Sequence, residues 1–181
     1  MPAGALKSFH FPPEFYADDV ADIAAGCIQR YGEREWRAAV LTNEIHGHLG
    51  IYSTIGAKMG IRAFELFREK GLEGEIFVES FAGSTPPVSC LNDGLQVSTG
   101  ASMGHGLFSV SPCPKPSARA RFSCCGESFE MGLRPEFEQI IKADISRGAA
   151  LYGRTPQYWS YVRKLAIQYW RDWDRTRLFD I

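Results

Sequence analysis

The sequence predicts a single α+β domain spanning residues 1–181, with an antiparallel or mixed sheet flanked by helices. Three observations carry this reading. The chain of 181 residues is the size of one ordinary domain, and its 45% hydrophobic residues are enough for a packed core. Apolar residues recur at helical spacing towards both ends of the chain and alternate in strand fashion in its middle. The predicted strands follow one another as a group between helices, which points away from alternating βαβ units.

In chain order, residues 17–30 read as a helix. Val20, Ile23, Ala24, Cys27 and Ile28 form its apolar stripe, Asp18 and Asp19 suit its first turn, and Gly32 follows its end. A central helix starts after Gly50 and runs to Lys70-Gly71 on the stripe Ile55, Met59, Ala63, Leu66 and Phe67. Residues 75–81 alternate as a strand that Gly83 and Pro86-Pro87 terminate, whereas 92–98 fits helix or strand equally. Strands follow at 107–110 and 119–124 with a Pro-rich loop between them. Phe129, Met131 and Leu133 mark a further strand after a turn at Gly126. Pro135 opens a helix carrying Phe137, Ile140, Ile141 and Ile145 that Gly148 is placed to stop, and Thr155-Pro156 opens a last helix over 155–175. That helix holds Tyr158, Trp159, Tyr161, Tyr169, Trp170 and Trp173. These rings either cap the chain's own core or turn in part towards a partner.

Composition narrows the function. With 20 Lys+Arg against 21 Asp+Glu and no block of like charge, the chain has no electrostatic grip for nucleic acid or an anionic membrane. No apolar run is long enough to span a membrane, and the first residues lack the pattern of a signal peptide. Five cysteines, an odd and scattered set, point to a reducing compartment, and the cytoplasm is the expected location. No phosphate-binding loop, GxGxxG, GxSxG, HExxH or CxxC is present.

The chemistry concentrates in two stretches. His46-Gly47-His48 in extended backbone points both imidazoles to one side, and the helix that follows at Ile51 keeps them neutral, the form that binds metal. The competing reading is a pair of hydrogen-bonded turn histidines. The second stretch, from Cys90 to Gly100, packs a thiol, a carboxylate, an amide and a hydroxyl into a few residues. If Asn92 or Asp93 caps a short helix, Cys90 lies just outside its N-terminus, where a thiolate is favoured. The alternative is a buried structural cysteine beside a capping turn. Cys124-Cys125, on a predicted strand where neighbours face opposite sides, reads as structural, as do Cys27 and Cys113.

Asn43-Glu44-Ile45-His46-Gly47-His48-Leu49-Gly50, with Gly56 and Met59-Gly60 on the next helix, resembles the HGH motif of the FmdE family, named after a component of formylmethanofuran dehydrogenase. The block Cys90-x-x-Asp93-Gly94-x-Gln96-x-x-Thr99-Gly100-x-x-x-Gly104-x-Gly106 is similar to that family's second motif, and together the likeness covers 38–133. The resemblance implies an α+β core in an intertwined homodimer, with motif His and Cys residues around a metal in a cleft. On it, His46, His48 and Cys90 are the expected ligands of a zinc or nickel ion, with His10 and His105 as candidate additional ligands. Asp93 orients a ligand imidazole or accepts a proton, and Gln96 and Thr99 bind substrate or water. The chain departs from the family pattern at Gly50 and Ala101, where family members carry cysteines, and at His105, where they carry lysine. It has no zinc ribbon. Two functions fit: a metal-dependent enzyme of undefined substrate, or a non-catalytic accessory protein that carries metal or docks on a molybdenum or tungsten oxidoreductase.

Overall fold

A computed structural model describes residues 11–112, 114–153 and 155–181. His10 and Cys113 lie outside the described residues. The chain runs α1 (Asp18–Tyr31), α2 (Glu33–His46), α3 (Ile51–Glu69), β1 (Phe77–Ser80), α4 (Leu91–Thr99), β2 (Phe108–Val110), β3 (Arg119–Cys124), β4 (Glu127–Leu133), α5 (Pro135–Tyr152), α6 (Pro156–Asp172), α7 (Arg175–Leu178) and β5 (Phe179–Asp180). The sheet order is β2-β1-β3-β4-β5. Only β1 and β2 pair in parallel, so the sheet is mixed and the fold is α+β, as the sequence predicts. The ambiguous stretch at 92–98 is helical. It forms the crossover of one β1–α4–β2 unit, because a parallel pair needs a long connection.

Most elements follow their sequence signals. Val20, Ile23, Cys27 and Tyr31 are the buried face of α1, and every residue of α3 from Ile51 to Ile61 is buried, which makes α3 the centre of the domain. Apolar spacing does not announce α2, because Glu35, Thr42 and Asn43 are buried alongside Trp36, Ala38 and Ala39. Gly148 does not stop α5, which continues to Tyr152 before ending at Gly153. A side chain at position 148 would collide with the Tyr161 ring, so this glycine serves the close packing of α5 on α6. The aromatic helix ends at Asp172, and its rings are only partly taken up by the chain's own core. Tyr169 and Trp170 are buried, Trp170 stacking on Trp36 at 4.6 Å, whereas Trp159 stays 56% exposed.

The β3–β4 hairpin turns through Cys125 and Gly126, both with positive φ (52° and 84°), the signature of a tight two-residue turn. Cys125 is therefore in the turn, and its Sγ lies 3.6 Å from that of Cys124 instead of on the opposite face.

A charged network closes the core. Lys58 and Glu35, each 1% exposed, pair at 2.5 Å, and Arg175 of α7 reaches both Glu35 (2.8 Å) and Glu65 (2.6 Å). Arg175 also donates to the Tyr31 carbonyl, and the Lys58 ammonium sits 4.1 Å from the centre of the Tyr31 ring. Burial pulls the Lys58 amine below its ordinary pKa, and Glu35 opposes that shift.

Candidate functional site

The site starts from Asn43 on the last turn of α2. Its Oδ1 accepts from the Gly50 N–H (2.9 Å) and the Ser53 hydroxyl (3.0 Å), and its Nδ2 donates to the Ala39 carbonyl (2.8 Å) and Thr54 Oγ1 (3.2 Å). One buried amide thus clamps the end of α2 to the start of α3. Between those points α2 ends at His46 and Gly47 takes the left-handed conformation (φ 78°) that glycine adopts without strain. The chain reverses there, and the His46 and His48 rings meet at 4.3 Å between centroids. The two imidazoles converge as the sequence suggests, but through a helix C-terminus and a glycine reversal instead of an extended HGH segment.

The other half comes from α4, which packs backbone to backbone on α3. A Cβ at Gly94 would clash with Ser53 O and Ala57 N, and one at Gly56 with Leu91 O, so these glycines set the helix separation. Asn92 fixes the start of α4 from the opposite side, donating to Gly83 O (2.9 Å) and accepting from Ser80 Oγ of β1 (2.6 Å). Asp93 is thereby brought to His46, with 2.7 Å between Oδ2 and Nδ1.

This pairing leaves His46 Nε2 buried and without a hydrogen-bond partner. With Nδ1 held against that carboxylate, Nε2 is the ring nitrogen left to meet a ligand. A buried polar atom left unpaired costs about 1–3 kcal/mol, which makes it a functional signal rather than a packing device. Beside it the backbone is bare: a Cβ at Gly50 would stand 3.1 Å from His46 Nε2 and 2.7 Å from Ser53 Oγ.

The remaining predicted site residues are placed less centrally. Partial burial and the neighbouring His46 lower the pKa of His48, so its ring is neutral for reasons other than the start of α3. Cys90 is itself the N-cap residue of α4, and neither Asn92 nor Asp93 caps the helix. Its thiol is pushed up, first by burial and then by the charge of Asp93, which overrides the helix N-terminus expected to favour a thiolate. Gln96 accepts from the Met103 N–H (3.1 Å), and Thr99 donates to Leu95 O (2.6 Å) while accepting from the Ala101 N–H (3.1 Å). Both therefore hold the loop after α4. His105 is exposed in the short turn Met103–His105, beyond the far end of α4 from Asp93. Among the described residues, no three His, Cys, Asp or Glu side chains are grouped to hold a metal ion.

A cavity of about 660 Å³ opens beside His48, walled by Tyr16, Val20, Val40, Leu49 and Trp170, with Arg163 at its margin. Among the described residues, the Trp170 Nε1 is the other buried polar side-chain atom without a partner. Asn43 enters the sequence reading only as the first residue of the HGH motif, with no role, and nothing in the sequence marks Ser53 or Thr54 beyond their being small hydroxyl residues just after Gly50.

The family model described as "FmdE, Molybdenum formylmethanofuran dehydrogenase operon" matches residues 45–180, from the HGH segment through β5. No curated protein matches the chain. With three quarters of its length matched, the chain belongs to the FmdE family.

Proposed function

We propose that this FmdE family member is a metal-dependent enzyme whose zinc or nickel ion is held at His46, with His48 and Cys90 as further ligands that close on the ion only as it binds. One observation carries the proposal: His46 presents a buried, partnerless Nε2 while Asp93 holds its Nδ1. A carboxylate behind a ligand imidazole is the usual support of a protein metal site. Gly50 places no side chain against that nitrogen. When bound, such an ion polarises a carbonyl or activates water.

The chain's own residues have separate tasks. Asp93 orients the His46 ring, and Asn43 holds the reversal that brings His48 alongside. Gln96 and Thr99 shape the site's surroundings through the loop they anchor. The apolar cavity beside His48 has the size of a small-ligand pocket, which makes it the place for substrate. Exposed Ile140, Leu151, Tyr152 and Trp159 on α5 and α6 supply a surface for a homodimer. The free thiols of Cys27, Cys90, Cys124 and Cys125 suit the cytoplasm.

The second reading is a metal-carrying accessory protein that docks on a molybdenum or tungsten oxidoreductase, which the operon in the family's description favours. Elemental analysis of protein purified without tag or chelator tests both. Stoichiometric zinc or nickel in the wild type, lost in His46→Ala with helicity retained, is expected, and equal metal in the two proteins would overturn the site. An X-ray absorption spectrum showing a solvent ligand supports the enzyme, and a shell closed by protein ligands supports the accessory protein.

A further inference from the structure

We propose that Cys124 and Cys125 form a chelating dithiol site for a soft, thiophilic metal or metalloid ion, independent of the His46 site. The two places are at opposite ends of α3. His46 adjoins its start, whereas Lys70, just past its end, pairs with Glu127 in the strand that follows the Cys125-Gly126 turn. Nineteen helical residues separate them, about 28 Å.

The geometry favours chelation over a disulfide. Adjacent residues across a trans peptide have Cα atoms about 3.8 Å apart, below the roughly 4.4–6.8 Å that disulfides span, so closure of this pair would be strained. A tetrahedral centre with metal–sulfur bonds of about 2.3 Å needs its sulfurs about 3.8 Å apart. The observed separation is 3.6 Å, set by the positive φ of Cys125 in the hairpin turn.

The surroundings are open to a ligand. Cys125 is exposed and its thiol is directed at the Glu73 carbonyl 3.7 Å away, while Cys124 is buried. Position 74 is glycine, and a Cβ there would stand 2.8 Å from the Cys125 sulfur and 3.3 Å from that of Cys124. A recess of about 270 Å³ adjoins Cys124, bounded by Arg68, Leu72, Glu73, Gly74 and Ile76. Among the described residues no third His, Cys, Asp or Glu completes a larger group, so the pair suits an ion that two thiolates satisfy. Soft ions prefer such ligands.

Phenylarsine oxide is the probe, because its trivalent arsenic condenses with two thiols. Two As–S bonds form, the oxygen leaves as water with both thiol protons, and arsenic keeps its oxidation state. Intact mass of the reduced, folded full chain should show one phenylarsine adduct. Cys124→Ser or Cys125→Asn should abolish it, since a single thiol forfeits the ~10²–10⁴-fold gain of a second attachment. Asparagine tolerates the positive φ at 125, and circular dichroism checks each fold. Cys90→Ser should keep the adduct, and Gly74→Val, which leaves both thiols in place, should weaken it. Survival of the adduct in Cys125→Asn, its loss in Cys90→Ser, or no adduct on the wild type would each overturn the proposal. None of these outcomes depends on whether His46 binds a metal.

Discussion

Two polar clusters join α2 to α3, and they are completed to different degrees. Around Glu35 every charge is answered: Lys58 and Arg175 share its carboxylate, and Glu65 takes the rest of Arg175. Around His46 the amide of Asn43 and the hydroxyls of Ser53 and Thr54 are satisfied, but one ring nitrogen is not. A closed network stabilises or specifies a fold and has nothing left to offer a ligand. An open one has been left unfinished by the fold, and that is where chemistry is to be sought.

The comparison is tested most severely by Glu35→Ala, which strands the buried Lys58 ammonium. Loss of one partner of a buried ion pair costs about 3–5 kcal/mol. Denaturant unfolding should show that loss, while metal content per folded chain stays unchanged. Next in size is Gly94→Ala at the contact between α4 and α3. Forcing a methyl group against the backbone of Ser53 and Ala57 should cost about 1–3 kcal/mol. By moving Asp93 away from His46 it should also lower metal affinity, so this substitution alone should disturb both properties. The smallest stability change is expected for Asp93→Asn. Removing the carboxylate behind His46 should lower metal affinity about 10–100-fold, read in a competition titration, and leave the unfolding midpoint nearly in place. A large fall in stability from Asp93→Asn would mean that the open cluster is structural after all.

The sequence reveals the two halves of this molecule unequally. Helix α1, with one apolar face, and the alternating strands β3 and β4 are legible because one surface of each is buried against the rest, and α3 is legible from its apolar stripe although its first eleven residues are buried on every side. α2 is not, since it turns Glu35, Thr42 and Asn43 inwards, and a residue such as Glu35 looks solvent-exposed until its partners from α3 and α7 are known. β5 is too short to leave a pattern. At the site, His46 and Asp93 are visible as motif residues, yet their contact spans 47 positions and depends on glycines whose role is to permit helix approach. Cys90 illustrates the opposite error. Local position at a helix start predicts a thiolate, while burial, which local sequence does not reveal, and the charge of Asp93 one turn on push the thiol pKa up.

The two borders of the sheet have a consequence for how copies of this chain meet. Strand β2 offers three residues, whereas β5 pairs only with Gly132 and Leu133, so the outer edge of β4 from Glu127 to Met131 has no strand partner among the described residues. A three-residue border is a poor template for adding another strand, whereas a longer open edge is a better one. An extended segment approaching the sheet therefore meets a short ladder at one border and a longer open one at the other, so the two borders are unequal templates for strand addition.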